Sequence, residues 1–207
     1  MKQRINITID LETASLQSDA AILSIAAQVF HPEQYDLMTT KFLGGADETF
    51  ERVINSNSSI ALGLDFDNGT VKWWSQQSDE AKASILAPPV LLSTALEEFA
   101  NWLSVLRHKY DADILLWSQG SDFDFPILRN AYRACGLDVP WDYQSQRDAR
   151  TFILEGLYIT HGDTDYHRIP DMVTEEGSWV RHSALSDAQR TAWSVSFVMA
   201  IMRELCK

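Results

Sequence analysis

The run INITIDL at residues 5–11 places apolar side chains on alternate positions, the period of a strand with one face in a core. Two further stretches, 21–30 (AILSIAAQVF) and 36–43 (DLMTTKFL), also read as strands. The polar segments ETASLQSD and HPEQY join the three, so an antiparallel meander is expected. After Gly44-Gly45 the pattern becomes helical and irregular. Residues 70–86 suit a helix that stops before Pro88-Pro89. In 94–110, Leu96, Phe99, Ala100, Leu103 and Leu106 share one face of an amphipathic helix. ADILLWS at 112–118 is a short apolar strand of the central-sheet type. A helix from about Phe125 to Gly136 follows, with Pro126 in its first turn. Another helix is expected over 147–159, a loop over 160–180, and a long apolar-striped helix to the end. No Gly-rich phosphate loop follows the first strand, which argues against Rossmann and P-loop folds. The order suits an α/β domain, 1–207, with three antiparallel strands extended by parallel ones and flanked by helices.

Composition narrows the function. With 45% hydrophobic and 22% charged residues the chain is of ordinary globular type. No stretch approaches the roughly 18 continuous apolar residues of a membrane span, and the N-terminus runs straight into a strand pattern, without a secretory signal. Cys135 and Cys206 have no metal or disulfide spacing and are expected as reduced thiols in the cytoplasm. A net charge of −12 argues against gripping long nucleic acid through its phosphates, an affinity that Lys and Arg supply. It is neutral toward nuclease chemistry, because bound divalent ions invert the local charge.

Three acidic constellations stand out. Asp10 and Glu12 lie two residues apart at the end of the first strand, hence on one face. They are either solvated strand-end carboxylates or ligands of a divalent cation that cancels their repulsion. Asp122 and Asp124 in GSDFDFPIL sit where a parallel strand hands over to a helix, a common binding position; either one also suits a helix cap. His182 just precedes the last helix, and Asp187 lies one turn inside it. That pair reads equally as an exposed imidazole beside a solvated carboxylate, or as two groups facing one cavity.

Their order carries more than any one of them. D-x-E-T on the first strand, F-D-x-x-x-L after a later strand and H-x-x-x-x-D opening the last helix resemble the DEDDh 3′–5′ exonucleases, which have an RNase H-like fold. TVKWWSQQSDEA, SDFDFPIL, QRDART and the His182/Asp187 segment, in that order, resemble phage DexA-type exonucleases and small bacterial exoribonucleases of the Rv type, over about residues 6–195. The resemblance implies a mixed five-stranded sheet. It also implies that Asp10, Glu12, Asp124 and Asp187 share two Mg²⁺ or Mn²⁺ ions, with His182 as general base toward the attacking water. Many members carry Asn four residues before the second-motif Asp; here Gly120 stands there. Four carboxylates without thiolate suit hard cations and argue against zinc.

The implied substrate is a single-stranded 3′ end, DNA favoured over RNA, with release of mononucleotides. Thr13 is expected at the terminal nucleotide. Adjacent on a helix, Trp73 and Trp74 point apart; one is expected in the core and the other, taken as Trp74, toward substrate. Arg150 is a candidate phosphate contact or a partner for Asp148. His31, His108, His161 and His167 have no ligand spacing and are read as loop or surface residues. The oligomeric state stays open, a homodimer included. The rival readings are a glycosidase, which would leave Asp124, His182 and Asp187 idle, an exoribonuclease, and an inactive module that binds nucleic-acid ends.

Overall fold

The computed structural model describes residues 3–37, 41–42, 48–162 and 179–207. The first strand, β1 (Gln3–Thr13), is the centre of the sheet. Its antiparallel neighbour is β2 (Ile22–Phe30), and its parallel neighbour is β6 (Ala112–Ser118). Outside β2 runs β5 (Thr49–Val53), antiparallel; outside β6 runs the three-residue β7 (Gln146–Asp148), parallel. The order is therefore β5-β2-β1-β6-β7. The expected mixed five-stranded sheet is present, with three antiparallel strands on one side.

The third antiparallel strand is not the one the apolar pattern favoured. Within 36–43, the described residues give only β3 (Tyr35–Asp36) and β4 (Lys41–Phe42), a small hairpin apart from the main sheet. TFERV at 49–53 takes the sheet edge instead. Charged side chains suit that edge, and Arg52 reaches Glu98 at 2.5 Å on the helix beneath. The helix expected over 70–86 is two helices, α2 (Asn68–Ser75) and α3 (Asp79–Leu86), after a short α1 (Ser56–Ala61). The break falls at Gln76–Ser78 because Ser78 caps α3 through the Ala81 amide, while Asp67 caps α2 through that of Thr70. The remaining helices are α4 (Leu92–Tyr110), α5 (Asp124–Ala134), α6 (Ala149–His161) and α7 (Ala184–Leu205). Most of the loop expected over 160–180, with His167, lies outside the described residues. Among the described residues, no helix is long and apolar enough to cross a membrane.

Alternation along β1 divides the molecule into two layers. Ile5, Ile7, Ile9 and Leu11 point into a core with α4 and α5, in which Leu96, Phe99, Leu103, Phe125 and Tyr132 are buried. On the opposite face a second core joins Phe30 and Trp117 to Ile153, Leu157, Val195 and Val198 of α6 and α7. Thr8 belongs to this face and donates to the Ala188 carbonyl at 2.8 Å, which pins the start of α7 against the strand. Asp10 and Glu12 follow Thr8 on the same face, so they meet the N-terminal turns of α7.

Candidate active site

Pairing between β1 and β6 ends at Thr8–Trp117, and the two strands part there. The gap is filled from the β6–α5 connection. Asp124 opens α5, with Phe123 at the N-cap position and no side-chain cap. Neither Asp122, which is exposed, nor Asp124 serves as that cap. Instead the Asp124 carboxylate is buried, and the nearby backbone N–H groups of Leu11 and of its own residue favour its charged form. Gly120, four residues before Asp124, has φ +107, a conformation that costs a side chain strain. The Arg150 guanidinium would lie 3.4 Å from a Cβ placed there.

α7 delivers the other two groups. His182 sits in the left-handed region with φ 61, which costs a non-glycine residue about 1–3 kcal/mol unless its surroundings hold it there. They do: its amide donates to Asp187 Oδ2 at 2.9 Å, and its ring meets the edge of Trp73 at 4.7 Å between centroids. Ligand atoms of Glu12, His182 and Asp187 all fall within 4.8 Å of one another.

Burial, and for Asp10 and Glu12 their neighbours' charge, work against ionised carboxylates here. Desolvation, then Asp124, Glu12 and Asp187, raise the Asp10 pKa well above the usual range, with Arg190 opposing. Burial first, then Asp187 and Asp124, push Glu12 up to about 8. Burial raises Asp124 to about 7 against its two N–H donors and the attraction of Arg150. Thus all five residues of the acidic and histidine motifs, drawn from β1, α5 and α7, converge on one place.

A cavity of about 500 Å³ opens beside Glu12, walled by Leu11, Leu16, Phe123, Trp73 and Trp74, with Thr13, Asp67 and Thr70 at polar positions. Of the two tryptophans, Trp74 is the inner one. It is buried, and its indole N–H donates to the Thr13 carbonyl at 3.0 Å. Trp73 is 40% exposed and presents the open ring, the reverse of the sequence-based assignment. Thr13 is itself buried and donates its hydroxyl to the Ser15 carbonyl at 2.7 Å. Arg150 hydrogen-bonds the Gln119 carbonyl at 3.0 Å. It does not engage Asp148, whose oxygens accept the Ser121 and Thr151 amides and so tie α6 to the β6–α5 loop. Gln119 extends this tie to α7 through Thr191, at 3.0 Å.

The sequence reading passed over Arg190, which pairs with Asp187 at 3.0 Å. The i,i+3 spacing on one helix was the available signal. It also missed Leu16 and Phe123 as cavity walls, since neither belongs to a charged or periodic pattern.

The model of the 3′–5′ exoribonuclease Rv2179c-like domain matches residues 5–199, and the chain belongs to that family. Its class is therefore the 3′–5′ exonucleases. A phage T4 protein described as an exodeoxyribonuclease is 29% identical over 179 residues, covering 75% of this chain and 73% of its own. Among solved structures, cell-death related nuclease 4 matches with a TM-score of 0.63 at 13% identity, over 97% of this chain; the chain spans 65% of that protein. The nuclease domain of 3′hExo, a DEDDh family member solved with rAMP, gives 0.61 at 12% identity over 98% and 93% of the two chains. A 3′-exonuclease that recognises a histone mRNA stem-loop gives 0.62 at 10% identity over 100% and 84%. The fold they share with this chain is the RNase H-like exonuclease fold.

Proposed function

We propose that this protein hydrolyses phosphodiester bonds from the 3′ end of single-stranded nucleic acid, DNA favoured over RNA, and releases 5′-mononucleotides. The observation that carries the reading is the convergence of Asp10, Glu12, Asp124, His182 and Asp187 beside an open-mouthed apolar cavity. The donor set is hard, four carboxylates without a thiolate, and fits Mg²⁺ or Mn²⁺. Asp10, Glu12, Asp124 and Asp187 would hold two such ions, which supply charge neutralisation at the scissile phosphate.

The protein's own groups do the rest. The terminal base enters the cavity and lies against Trp73, with Leu11, Leu16 and Phe123 excluding water around it. Trp74 holds the Thr13 backbone in place behind the sugar. His182 takes the proton of the attacking water, a role that imidazole suits near neutral pH. Its φ and the Trp73 contact hold the ring toward Glu12 and Asp187 before substrate arrives. Arg150, exposed beside Asp124, meets the phosphate of the next nucleotide.

The exodeoxyribonuclease description of the phage relative supports DNA. The family's description favours the second reading, an exoribonuclease. One experiment tests both: 5′-labelled DNA and RNA oligonucleotides of one sequence, incubated with Mg²⁺, Mn²⁺ or EDTA. The expected result is a ladder shortening from the 3′ end, faster on DNA and abolished by EDTA. Faster RNA decay would select the second reading. Intact label with both metals would overturn the enzyme reading and leave an end-binding module.

A further inference from the structure

Asp187 spends both carboxylate oxygens on the chain itself: Oδ2 accepts the His182 amide, and Oδ1 meets Arg190 Nη2 at 3.0 Å. Arg190 also favours the charged form of Asp10. Its buried Nε has no hydrogen-bond partner among the described residues. An unpaired buried N–H costs about 1–3 kcal/mol. The guanidinium thus stays where it is chiefly for its charge. Four carboxylates gather here against few cations. Divalent ions held by the same carboxylates would repel Arg190 and compete with it for Asp187 Oδ1.

We propose that Arg190 is a tethered counter-cation: it occupies Asp187 while no divalent ion is bound, gives way on loading, and thereby sets how tightly the site holds metal. This rests on the reading of the four carboxylates as the metal site. Arg190 is neither a ligand nor a proton carrier in this scheme. Its effect is a coupling between two cations that share one carboxylate.

The test is calorimetric titration of Mn²⁺, without nucleic acid, into the wild-type protein, Arg190→Gln and Arg190→Lys. Removal of the charge in Arg190→Gln is expected to tighten Mn²⁺ binding about 10-fold, within the usual span of coupled sites. Its metal-free melting temperature is expected to fall. Arg190→Lys, which keeps the charge, is expected to bind near the wild-type strength. Equal or weaker binding by Arg190→Gln would overturn the proposal, whereas a wild-type protein that takes up no Mn²⁺ would overturn the metal site itself and this inference with it. Should Arg190→Gln fail to fold, the wild-type protein carries the test through NMR of the arginine Nε–H. That of Arg190 is expected to exchange slowly with solvent without ions and faster under saturating Mg²⁺; exchange unaffected by Mg²⁺ would overturn the proposal.

Discussion

The two faces of β1 are built from interleaved residues of one strand, and they serve opposite ends. Toward α4 and α5, Ile5, Ile7 and Ile9 are at most 1% exposed and belong to the apolar core. Toward α7, Asp10 and Glu12 crowd against Asp124 and Asp187, and their raised pKa values mean that the fold works against their charge. Burial of an aliphatic side chain lowers the free energy of the folded state by about 1.5–3 kcal/mol; crowding of ionised carboxylates raises it. A strand held firmly on one face can thus carry repulsion on the other.

Paired substitutions separate the faces most sharply. Asp10→Asn should abolish nuclease activity, by about a thousandfold or more, while the metal-free protein melts at a higher temperature because one repelling charge is gone. Ile7→Ala should do the reverse, with a loss of about 2–5 kcal/mol in denaturant titration and near-normal kcat per folded molecule. If Asp10→Asn destabilised the metal-free protein, the two faces would not differ in the way described.

The pH dependence of stability follows from the same contrast. Glu12 and Asp124 have native pKa values of about 8 and about 7, above the unfolded values near 4. Between those limits the native state binds more protons than the unfolded chain, so stability falls as pH rises through about 4 to 8. In EDTA the melting temperature should drop between pH 5 and pH 8.5. Saturating Mg²⁺ should remove most of that drop. A flat profile in EDTA would show that burial and crowding do not raise these carboxylates.

Smaller effects belong to the cavity and its rim. Trp73→Ala should raise KM about 5- to 100-fold, the worth of one stacked base, and leave the melting temperature within a degree or two. Trp74→Ala should lower the melting temperature instead, since it removes a buried ring and the bond to Thr13. Arg150→Met should lower kcat/KM about two- to fivefold, as expected for an exposed charge; a larger loss would place it among the groups that touch the reacting phosphate.

Much of this contrast was legible in the chain. The i,i+2 spacing fixed Asp10 and Glu12 on one face without any knowledge of the tertiary fold, and the helix start after His182 brought Asp187 one turn away. What could not be read was set by contacts distant in sequence. The edge strand 49–53 is short and carries Glu51 and Arg52, so its alternation was weaker than that of 36–43. β7 has three residues, too few to show a period. The division of labour between Trp73 and Trp74 depends on a hydrogen bond to Thr13, 61 residues earlier. The break between α2 and α3 was legible in principle, because Ser78 with Asp79 and Glu80 after it is a helix-start pattern.

The most direct measurement is the anomalous scattering of a crystal soaked in Mn²⁺ with a nucleoside 5′-monophosphate. Two Mn²⁺ peaks are expected on the α7-facing side of β1, with oxygens of Asp10, Glu12, Asp124 and Asp187 at about 2.1–2.3 Å, and the base against Trp73. Peaks absent from these carboxylates, or held elsewhere on the acidic surface, would contradict the metal site.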